Sequence, residues 1–407
     1  MTPEFETTVS NAIANDVLPG AVMLVRSRDG KLDYSHALGA LSLSNPSSLG
    51  PLKPDSILTM ASTTKLLTAI AVLQQVQAEK ITLETDVSEL LPELASLPVL
   101  SSSGNNPPVL SKRTEPILLK HLLTHSSGAS YTWNSPDVVA HLTSNDKPVP
   151  VPLSPVGGKS VSERCSYPLT FQPGKGWVYG TGLDWAGLLV ERLSGRKLDD
   201  YFQLRILQPL GIQKGEITFY PGRHPSLKGR RAGMTARGEK DRLRHHKLGE
   251  EPAENEAMGG EAGFGSMAAF VTVLADFLKP EGSKLLDVER QELLFKGCLS
   301  EESKAVLNQG LKGEGRDWIV GWVYEAGDGG AGARYDWSPA GLVTTEPGKE
   351  GKRKGGFVQW GGAFNLAWFI DREAGVCGVF ATQILLPGDL KVRPLIKEFE
   401  EVVYSKL

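Results

Sequence analysis

The chain has 407 residues, enough for two ordinary domains or for one large enzyme with an extensive core. Its 40% hydrophobic and 22% charged residues are typical of globular proteins and exclude global disorder and fibrous repeats. Lys and Arg number 44 against 47 Asp and Glu, a net charge of −3, which argues against a nucleic acid as the main partner. The 45 glycines and 26 prolines predict many tight turns, with backbone able to approach a small ligand closely.

Residues 1–20 lack the apolar stretch of a secretory signal, and no run of 18 uncharged apolar residues predicts a membrane-spanning helix. The three cysteines are widely spaced and odd in number, which disfavours a disulfide framework or a thiolate metal site. We therefore expect a cytoplasmic protein with no metal, no cofactor and no membrane partner.

Hydrophobic periodicity predicts strands at both ends of the chain and helices between them. The first two strands, 20–26 and 31–37, flank a hairpin turn at Asp29-Gly30. Apolar residues at helical spacing then predict helices at 62–78, 118–123, 183–193, 198–207 and 267–278. Strands follow at 318–324, 356–360, 365–370 and 376–381, before a last helix at 392–404. This pattern predicts an α+β fold, with a sheet lobe from residues 1–80 and 315–407 and a mainly helical lobe from 81–314.

Ser62 and Lys65 lie three residues apart at the predicted start of the first long helix. This spacing brings the Ser62 hydroxyl within reach of the Lys65 amine, and a serine nucleophile needs such a base. A partly desolvated lysine can serve as one. The alternative is that Ser62 only caps the helix. Ser-x-x-Lys recurs at Ser144 and Ser194, but neither of those serines precedes a helix.

Two glycine-flanked segments add further candidates. Tyr179 lies between the turn at 172–176 and a predicted helix, so its phenol could enter a cleft or be structural. Gly361 and Gly362 follow Trp360 at the end of a predicted strand, where paired glycines indicate close approach of backbone. Such a strand can direct a backbone N–H at an oxyanion, or can simply contain a bulge.

Together, Ser62 to Lys65, Tyr179 to Thr181 and Trp360 to Gly362 resemble, in order, the three motifs of the serine β-lactamase and penicillin-binding-protein superfamily. The resemblance favours the class C and esterase branch, and within it the fungal lovastatin-type acyltransferases. Further similar strings, at 119–128, 209–212 and 259–266, extend it over nearly the whole chain. It implies a β-lactamase/transpeptidase-like fold: an antiparallel sheet flanked by helices, with a mainly helical second lobe and the active site between them.

Carried over to this chain, the resemblance implies that Ser62 is the acylated nucleophile, Lys65 its base and Tyr179 a proton shuttle. The backbone N–H groups of Ser62 and Ala363 would form the oxyanion hole, beside Gly361 and Gly362. Trp360 stands where β-lactamases carry the lysine that holds a substrate carboxylate. An aromatic residue there favours an apolar acyl or polyketide group over a penicillin.

The implied activity is transfer of a small acyl group from an ester or thioester to the alcohol of a polyketide-like acceptor. A carboxylesterase would use the same residues, and a β-lactamase, a peptidase or a binding module without activity are further alternatives.

Two other features have competing interpretations. His121 and His125 have metal-ligand spacing on a predicted helix, but without a third ligand we interpret them as structural. A basic segment begins at Arg223 and ends at Lys247, with nine Lys and Arg residues and few acidic ones. It is either a solvated loop or a docking face for an acidic acyl-carrier-protein domain.

Overall fold

A computed structural model describes residues 2–44, 49–101, 109–150, 158–247, 255–279, 281–312, 334–347, 352–385 and 387–407. Its strands are β1 (Gly20–Ser27), β2 (Asp33–Gly39), β3 (Ile57–Ala61), β4 (Val99–Ser101), β5 (Val109–Ser111), β6 (Ile217–Thr218), β7 (Met234–Arg237), β8 (Leu243–His246), β9 (Gly263–Ser266), β10 (Arg334–Trp337), β11 (Leu342–Glu346), β12 (Phe357–Gly362), β13 (Leu366–Asp371), β14 (Val376–Ala381) and β15 (Ile384–Leu385). Its α-helices are α1 (Pro3–Ala14), α2 (Thr64–Gln77), α3 (Pro92–Ala95), α4 (Leu119–Leu123), α5 (Pro136–Ser144), α6 (Val161–Cys165), α7 (Gly182–Ser194), α8 (Leu198–Phe202), α9 (Met267–Asp276), α10 (Val288–Leu293), α11 (Glu301–Gly310) and α12 (Arg393–Tyr404).

Both ends of the chain contribute to one antiparallel sheet, as the α+β prediction requires. Its seven described strands lie in the order β10-β11-β12-β13-β14-β1-β2. β1 joins the N-terminal and C-terminal strands, because it pairs with β2 on one edge and with β14 on the other. Side chains alternate across β1, so that Met23 packs among α1 and α12 while Val22 and Leu24 face the larger core. Strands β12, β13 and β14 are buried along their whole length, whereas the edge strand β2 is partly exposed.

Helix α2 lies at the centre of the larger core. All its residues from Thr64 to Val76 are buried, which is the pattern of a helix surrounded by protein rather than of an amphipathic surface helix. It packs against α7, and α9 packs between this core and strands β1 and β14. Each fully buried Leu or Ile contributes about 1.5–3 kcal/mol, so α2 is held firmly in place.

A second, three-stranded sheet leads into α2. In it β9 lies between β3 and β6, with antiparallel pairing on both sides. β3 is wholly buried and ends at Ala61, which places the start of α2 deep in the molecule. The functional residues are positioned by this strand–turn–helix unit.

The structure confirms the antiparallel sheet flanked by helices and most predicted elements, with ends shifted by a few residues. The predicted strand 318–324 lies outside the described residues, and the two lobe boundaries stay a prediction. The run 198–207 is not one α-helix: α8 continues as a π-helical turn, Gln203–Leu207. No helix among the described residues has the length and hydropathy needed to cross a bilayer.

Candidate active site

Ser62 lies in the turn between β3 and α2, two residues before the helix begins, so the predicted helix start at 62 is early. The preceding residue, Ala61, has a left-handed backbone with φ of 46°, a conformation that costs energy for any residue with a Cβ. Thr64 holds the turn: its hydroxyl donates to the Ala61 carbonyl at 2.6 Å and accepts from the Gly263 N–H at 3.0 Å. The turn leaves Ser62 partly exposed between buried neighbours.

Lys65 is 4% exposed and its amine reaches three acceptors. Nζ lies 3.2 Å from Ser62 Oγ, 2.9 Å from the Tyr131 hydroxyl and 2.6 Å from the Gly260 carbonyl oxygen. The structure therefore brings Ser62 and Lys65 together as their spacing predicts.

Tyr131 and Asp184 form a buried extension of this site that sequence reasoning missed. The Tyr131 hydroxyl donates to Asp184 Oδ2 at 3.1 Å, and Asp184 Oδ1 accepts the Gly260 N–H at 2.7 Å. Asp184 is completely buried. Burial is the main reason that the pKa of Tyr131 lies well above its usual range, and the Asp184 charge adds to it. Tyr131 is therefore a hydroxyl at neutral pH.

Tyr179 lies beside this group, on the segment that leads into α7. Residues 129–131 run alongside this segment and form backbone hydrogen bonds with it. The next residue, Gly180, has no room for a Cβ, which would lie 1.9 Å from the Ala129 carbonyl oxygen. Lys65 Nζ lies 4.7 Å from the centre of the Tyr179 ring. The Trp360 indole N–H donates to the Tyr179 hydroxyl at 2.9 Å. Trp360 is 5% exposed, so it lies behind Tyr179 rather than at an open edge of the cleft.

His125 packs against Tyr179, with ring centres 4.4 Å apart, and does not continue α4. Helix α4 ends at Leu123, and His125 has a left-handed backbone with φ of 58°, so the two histidines do not share a helical face. His125 Nδ1 accepts the Gly180 N–H, and His121 Nδ1 accepts the Leu118 N–H. Each imidazole ring thus holds a backbone N–H of a neighbouring segment through its Nδ1 atom.

Both histidines are neutral in the folded protein near pH 7. Burial, followed by repulsion from Lys65, holds the pKa of His125 well below its usual range, and burial lowers the pKa of His121 to about 4. In the unfolded chain a histidine binds a proton near pH 6.5. Stability is therefore complete above that pH and declines as the pH falls, because protons bind preferentially to the unfolded state.

We expect His125→Asn to weaken this pH dependence. Asn tolerates the left-handed backbone and retains an acceptor for the Gly180 N–H, but it does not titrate. Between pH 6.5 and 5, the free energy of unfolding of the variant falls by about 1 kcal/mol per pH unit less than that of the parent. Urea unfolding at several pH values measures the two slopes. Equal slopes would contradict the assignment of His125 as a buried neutral group.

Gly362 brings the third segment against the nucleophile turn. A Cβ on Gly362 would lie 2.2 Å from the Met60 carbonyl oxygen and 3.2 Å from Thr63 Oγ1, on either side of Ser62. Only glycine permits this approach of β12 to the end of β3. Ala363 follows directly and packs against the small cluster of Ala61, Met234 and Phe364. The backbone of Ala363 is thereby held close to the Ser62 turn.

An apolar groove adjoins the site on the side of α5. It has a volume of about 580 Å³ and is lined by Thr132, Trp133, Pro136, Val139, Ala140, Thr143 and Ser144. Trp133 is 48% exposed, stacks on Tyr131 with ring centres 6.0 Å apart, and lies 6.3 Å from the Tyr179 ring centre. The groove is therefore separated from the two tyrosines by the Trp133 ring, which contacts both of them.

The structure brings the predicted candidates close together: Ser62, Lys65, Tyr179, Trp360 and Gly362 are linked by successive contacts. In this arrangement the Ser62 hydroxyl can attack a carbonyl with the Lys65 amine as its base. The apolar groove nearby can bind an apolar group of the substrate. Sequence reasoning missed Tyr131 and Asp184 because they lie outside the three motifs, and it treated Gly260 only as part of the similar string at 259–266. An aspartate in the apolar run of α7 was the available signal.

Comparison with known proteins identifies the family of this chain. The profile of the beta-lactamase family matches residues 5–399. The chain is 32% identical to monacolin J acid methylbutanoyltransferase of Aspergillus terreus over 98% of its own length and 95% of the relative's. It is 34% identical to lovastatin esterase of Penicillium rubens, over 98% of both chains. A structure of a simvastatin synthase mutant from Aspergillus terreus superposes with a TM-score of 0.87 at 32% identity, covering 99% of this chain and 96% of that one.

A more distant solved structure, the hydrolase EstCE1, matches at 19% identity with a TM-score of 0.75 and therefore supports the fold alone. The family match and the relatives' names agree in the kind of activity, acyl transfer or ester hydrolysis. The protein is an enzyme of the beta-lactamase family, of its acyltransferase and esterase type.

Proposed function

We propose that this enzyme transfers a small acyl group from an ester or thioester to an alcohol of a polyketide-like acceptor, by way of an acyl group on Ser62. The observation that carries the proposal is the Lys65 amine 3.2 Å from Ser62 Oγ. An apolar groove lies on the far side of Trp133, whose ring contacts Tyr179. The monacolin J acid methylbutanoyltransferase relative performs a reaction of this kind, as its name states.

In the first half-reaction, Ser62 Oγ bonds to the carbonyl carbon of the donor while its proton passes to Lys65. The oxyanion is stabilised by the backbone N–H groups of Ser62 and Ala363. When the carbonyl re-forms, the bond to the leaving alcohol or thiol breaks, and that group takes a proton from Lys65 or Tyr179. Ser62 is left as an ester.

In the second half-reaction, the acceptor hydroxyl gives its proton to Tyr179 or Lys65 and bonds to the acyl carbon. The bond to Ser62 Oγ breaks and Ser62 regains a proton. Val139, Pro136 and Trp133 provide an apolar surface on which a hydrocarbon ring system displaces water, and this binding favours the acceptor alcohol over hydrolysis. If water reacts instead, the enzyme is an esterase.

A β-lactam is disfavoured as substrate. Trp360 occupies the position of the carboxylate-binding lysine, and its indole N–H is already used by the Tyr179 hydroxyl. Efficient hydrolysis of a penicillin by the wild type would contradict this part of the proposal.

The test measures partition of the acyl group. The enzyme is incubated with a short branched acyl thioester of N-acetylcysteamine, with and without monacolin J acid as acceptor, and products are separated by liquid chromatography. We expect the acyl ester of the acceptor to exceed free acid when acceptor is present. Free acid as the sole product at saturating acceptor would establish the esterase alternative.

Trp360→Phe tests whether the indole N–H supports Tyr179 during proton transfer. Phe keeps a ring but removes the donor, and losing a hydrogen bond to a group that gains charge costs about 1.5–3 kcal/mol, or roughly 10–100-fold in turnover. In a Tyr179→Phe background, which itself loses about 100-fold or more, the change should have little further effect. Trp368→Phe is the control, because the buried Trp368 N–H has no hydrogen-bond partner among the described residues. An equal loss in Trp368→Phe would contradict this role of Trp360.

We further propose that the donor is presented by an acidic acyl-carrier-protein domain at the basic segment. Part of that segment is structural, since Arg230 pairs with Glu216 and Arg237 with Asp389. Arg244 and His245 are exposed on the edge strand β8, and the exposed Arg242 and Lys247 lie directly before and after it. A shallow groove beside it reaches Met234, which packs against Ala61 and Ala363.

Charge reversal tests this partner. Arg244→Glu with Lys247→Glu should lower kcat/KM for a carrier-bound acyl donor about tenfold, more at low salt, and leave the soluble thioester unaffected. Arg196→Glu with Lys214→Glu reverses two exposed charges beside another groove and serves as the control. Equal effects of the two pairs of substitutions on kcat/KM would contradict a docking face at β8.

A further inference from the structure

Two acceptors of the Lys65 amine, the Tyr131 hydroxyl and the Gly260 carbonyl, belong to residues that contact one buried carboxylate. Asp184 Oδ2 accepts the Tyr131 hydroxyl and Oδ1 accepts the Gly260 N–H, so both oxygens face residues in contact with Lys65 Nζ. The fit is close, because a Cβ on Gly260 would lie 2.6 Å from Asp184 Oδ2. Asp184 itself has no solvent-exposed surface.

The direction of each hydrogen bond follows from the chemistry of the groups. A carboxylate can only accept, so the Tyr131 O–H points at Asp184 and the Tyr131 oxygen is left to accept from Lys65. The Gly260 carbonyl also can only accept from Lys65. Two of the tetrahedral positions on Nζ are therefore occupied by hydrogens, which Lys65 donates to the Tyr131 oxygen and the Gly260 carbonyl. When the amine is neutral, its lone pair therefore faces the remaining partner, Ser62 Oγ.

We infer that Asp184 is a positioning residue that fixes the polarity of this network, so that the basic lone pair of Lys65 is directed at the Ser62 hydroxyl. The inference rests on the proposed role of Ser62 as nucleophile. Asp184 acts through Tyr131 and Gly260 and does not touch the substrate.

The pKa of Asp184 is raised, because burial outweighs the opposing effects of Lys65, the Gly260 N–H, the Tyr131 hydroxyl and the more remote Arg164. These four groups stabilise the ionised carboxylate on which the inference relies. The other titratable groups that face the network from neighbouring elements are Glu261, Tyr179, Cys165, Tyr167 and the neutral His125. Burial and the acidic neighbours keep Tyr131, Cys165 and Tyr167 neutral, since each has its pKa raised well above the usual value.

Asp184→Asn tests the inference with almost no change in shape. An amide offers one oxygen and one NH₂, so it satisfies either the Gly260 N–H or the Tyr131 O–H in its native direction, but not both. If the amide donates to Tyr131, the hydroxyl turns towards Lys65 and occupies its lone pair. We expect the rate of Ser62 acylation by p-nitrophenyl butyrate to fall roughly 10–100-fold.

The pH profile separates positioning from stability. Asp184→Asn removes a negative charge from beside the Lys65 amine. We therefore expect the acidic limb of the acylation rate to move to lower pH, and the plateau of the rate to fall. In Tyr131→Phe the plateau also falls, and adding Asp184→Asn to that variant should cause less loss than it does alone, because Asp184 acts largely through the hydroxyl. This second variant keeps the test valid if Asp184→Asn folds poorly.

Asp199→Asn is the matched control. Asp199 is also buried, and its Oδ1 accepts both the Thr218 hydroxyl and the Phe219 N–H. The amide oxygen of Asn can still accept both, so this variant should keep the acylation rate and pH profile of the parent. A wild-type rate and profile in Asp184→Asn would overturn the inference, as would the same profile shift in Asp199→Asn. Failure of Ser62 to acylate in the parent would instead overturn the proposed function.

Discussion

Ser62→Ala should abolish the acyl-enzyme and lower kcat by about 10⁴–10⁶-fold, the range found when a catalytic serine is removed from an acyl-transfer site. Alanine lacks the only atom of Ser62 that can bond to the acyl carbon. The fold should persist, because Ser62 is partly exposed and the turn is held by Thr64 rather than by the Ser62 side chain.

Intact-mass spectrometry after mixing with p-nitrophenyl butyrate measures the effect directly. The wild type should gain the mass of one butyryl group, and Ser62→Ala should gain none. Ser194→Ala is the control, because Ser194 and Lys197 repeat the Ser-x-x-Lys spacing at the end of α7, outside the site. An adduct that persists in Ser62→Ala would show that another residue is the nucleophile.

Lys65→Met should lower the acylation rate by about 10²–10⁴-fold, the usual contribution of a positioned base. Met fills similar space without an amine, and it leaves the Tyr131 hydroxyl and the Gly260 carbonyl without the contact they make to Nζ. Some stability is therefore lost as well, about 1–3 kcal/mol for buried polar groups left unpaired. Thermal unfolding measured beside the kinetics separates the two effects.

Lys65→Arg distinguishes a base from a fixed positive charge. Arginine keeps the charge but is not deprotonated in proteins, so it cannot accept the Ser62 proton. We expect both Lys65 variants to be similarly slow, whereas Lys197→Met should keep the parent rate. Activity retained in Lys65→Arg would show that Lys65 acts through its charge and that the base lies elsewhere, with Tyr179 the next candidate.

The sequence pattern predicted those features that depend on residues close together in the chain. The β1–β2 hairpin follows from alternation around Asp29-Gly30, and the proximity of Ser62 to Lys65 follows from their spacing along one turn. The glycines at 361 and 362 indicated close approach, and the Met60 carbonyl against Gly362 is that approach.

The rest depends on contacts between distant segments, which no local pattern encodes. Tyr131 meets Lys65 only because residues 129–131 lie beside the Tyr179 segment. The aromatic residue at 360 was expected to face substrate, but its N–H is directed at Tyr179. The left-handed Ala61 is likewise invisible in sequence, since alanine carries no preference for that conformation.

The pairing of β1 with both β2 and β14 has a consequence for how the enzyme is made. Its partner β2 emerges next on the chain, but β14 is synthesised only when the protein is nearly complete. At about 5–20 residues per second, β1 spends tens of seconds with one edge unpaired. Residues 21–25 of that strand read Ala-Val-Met-Leu-Val, an apolar run without charge, and an open edge of this kind pairs readily with other chains. Yield in a heterologous host should therefore depend on slow translation at low temperature and on chaperones that cover this edge until the C-terminal strands arrive.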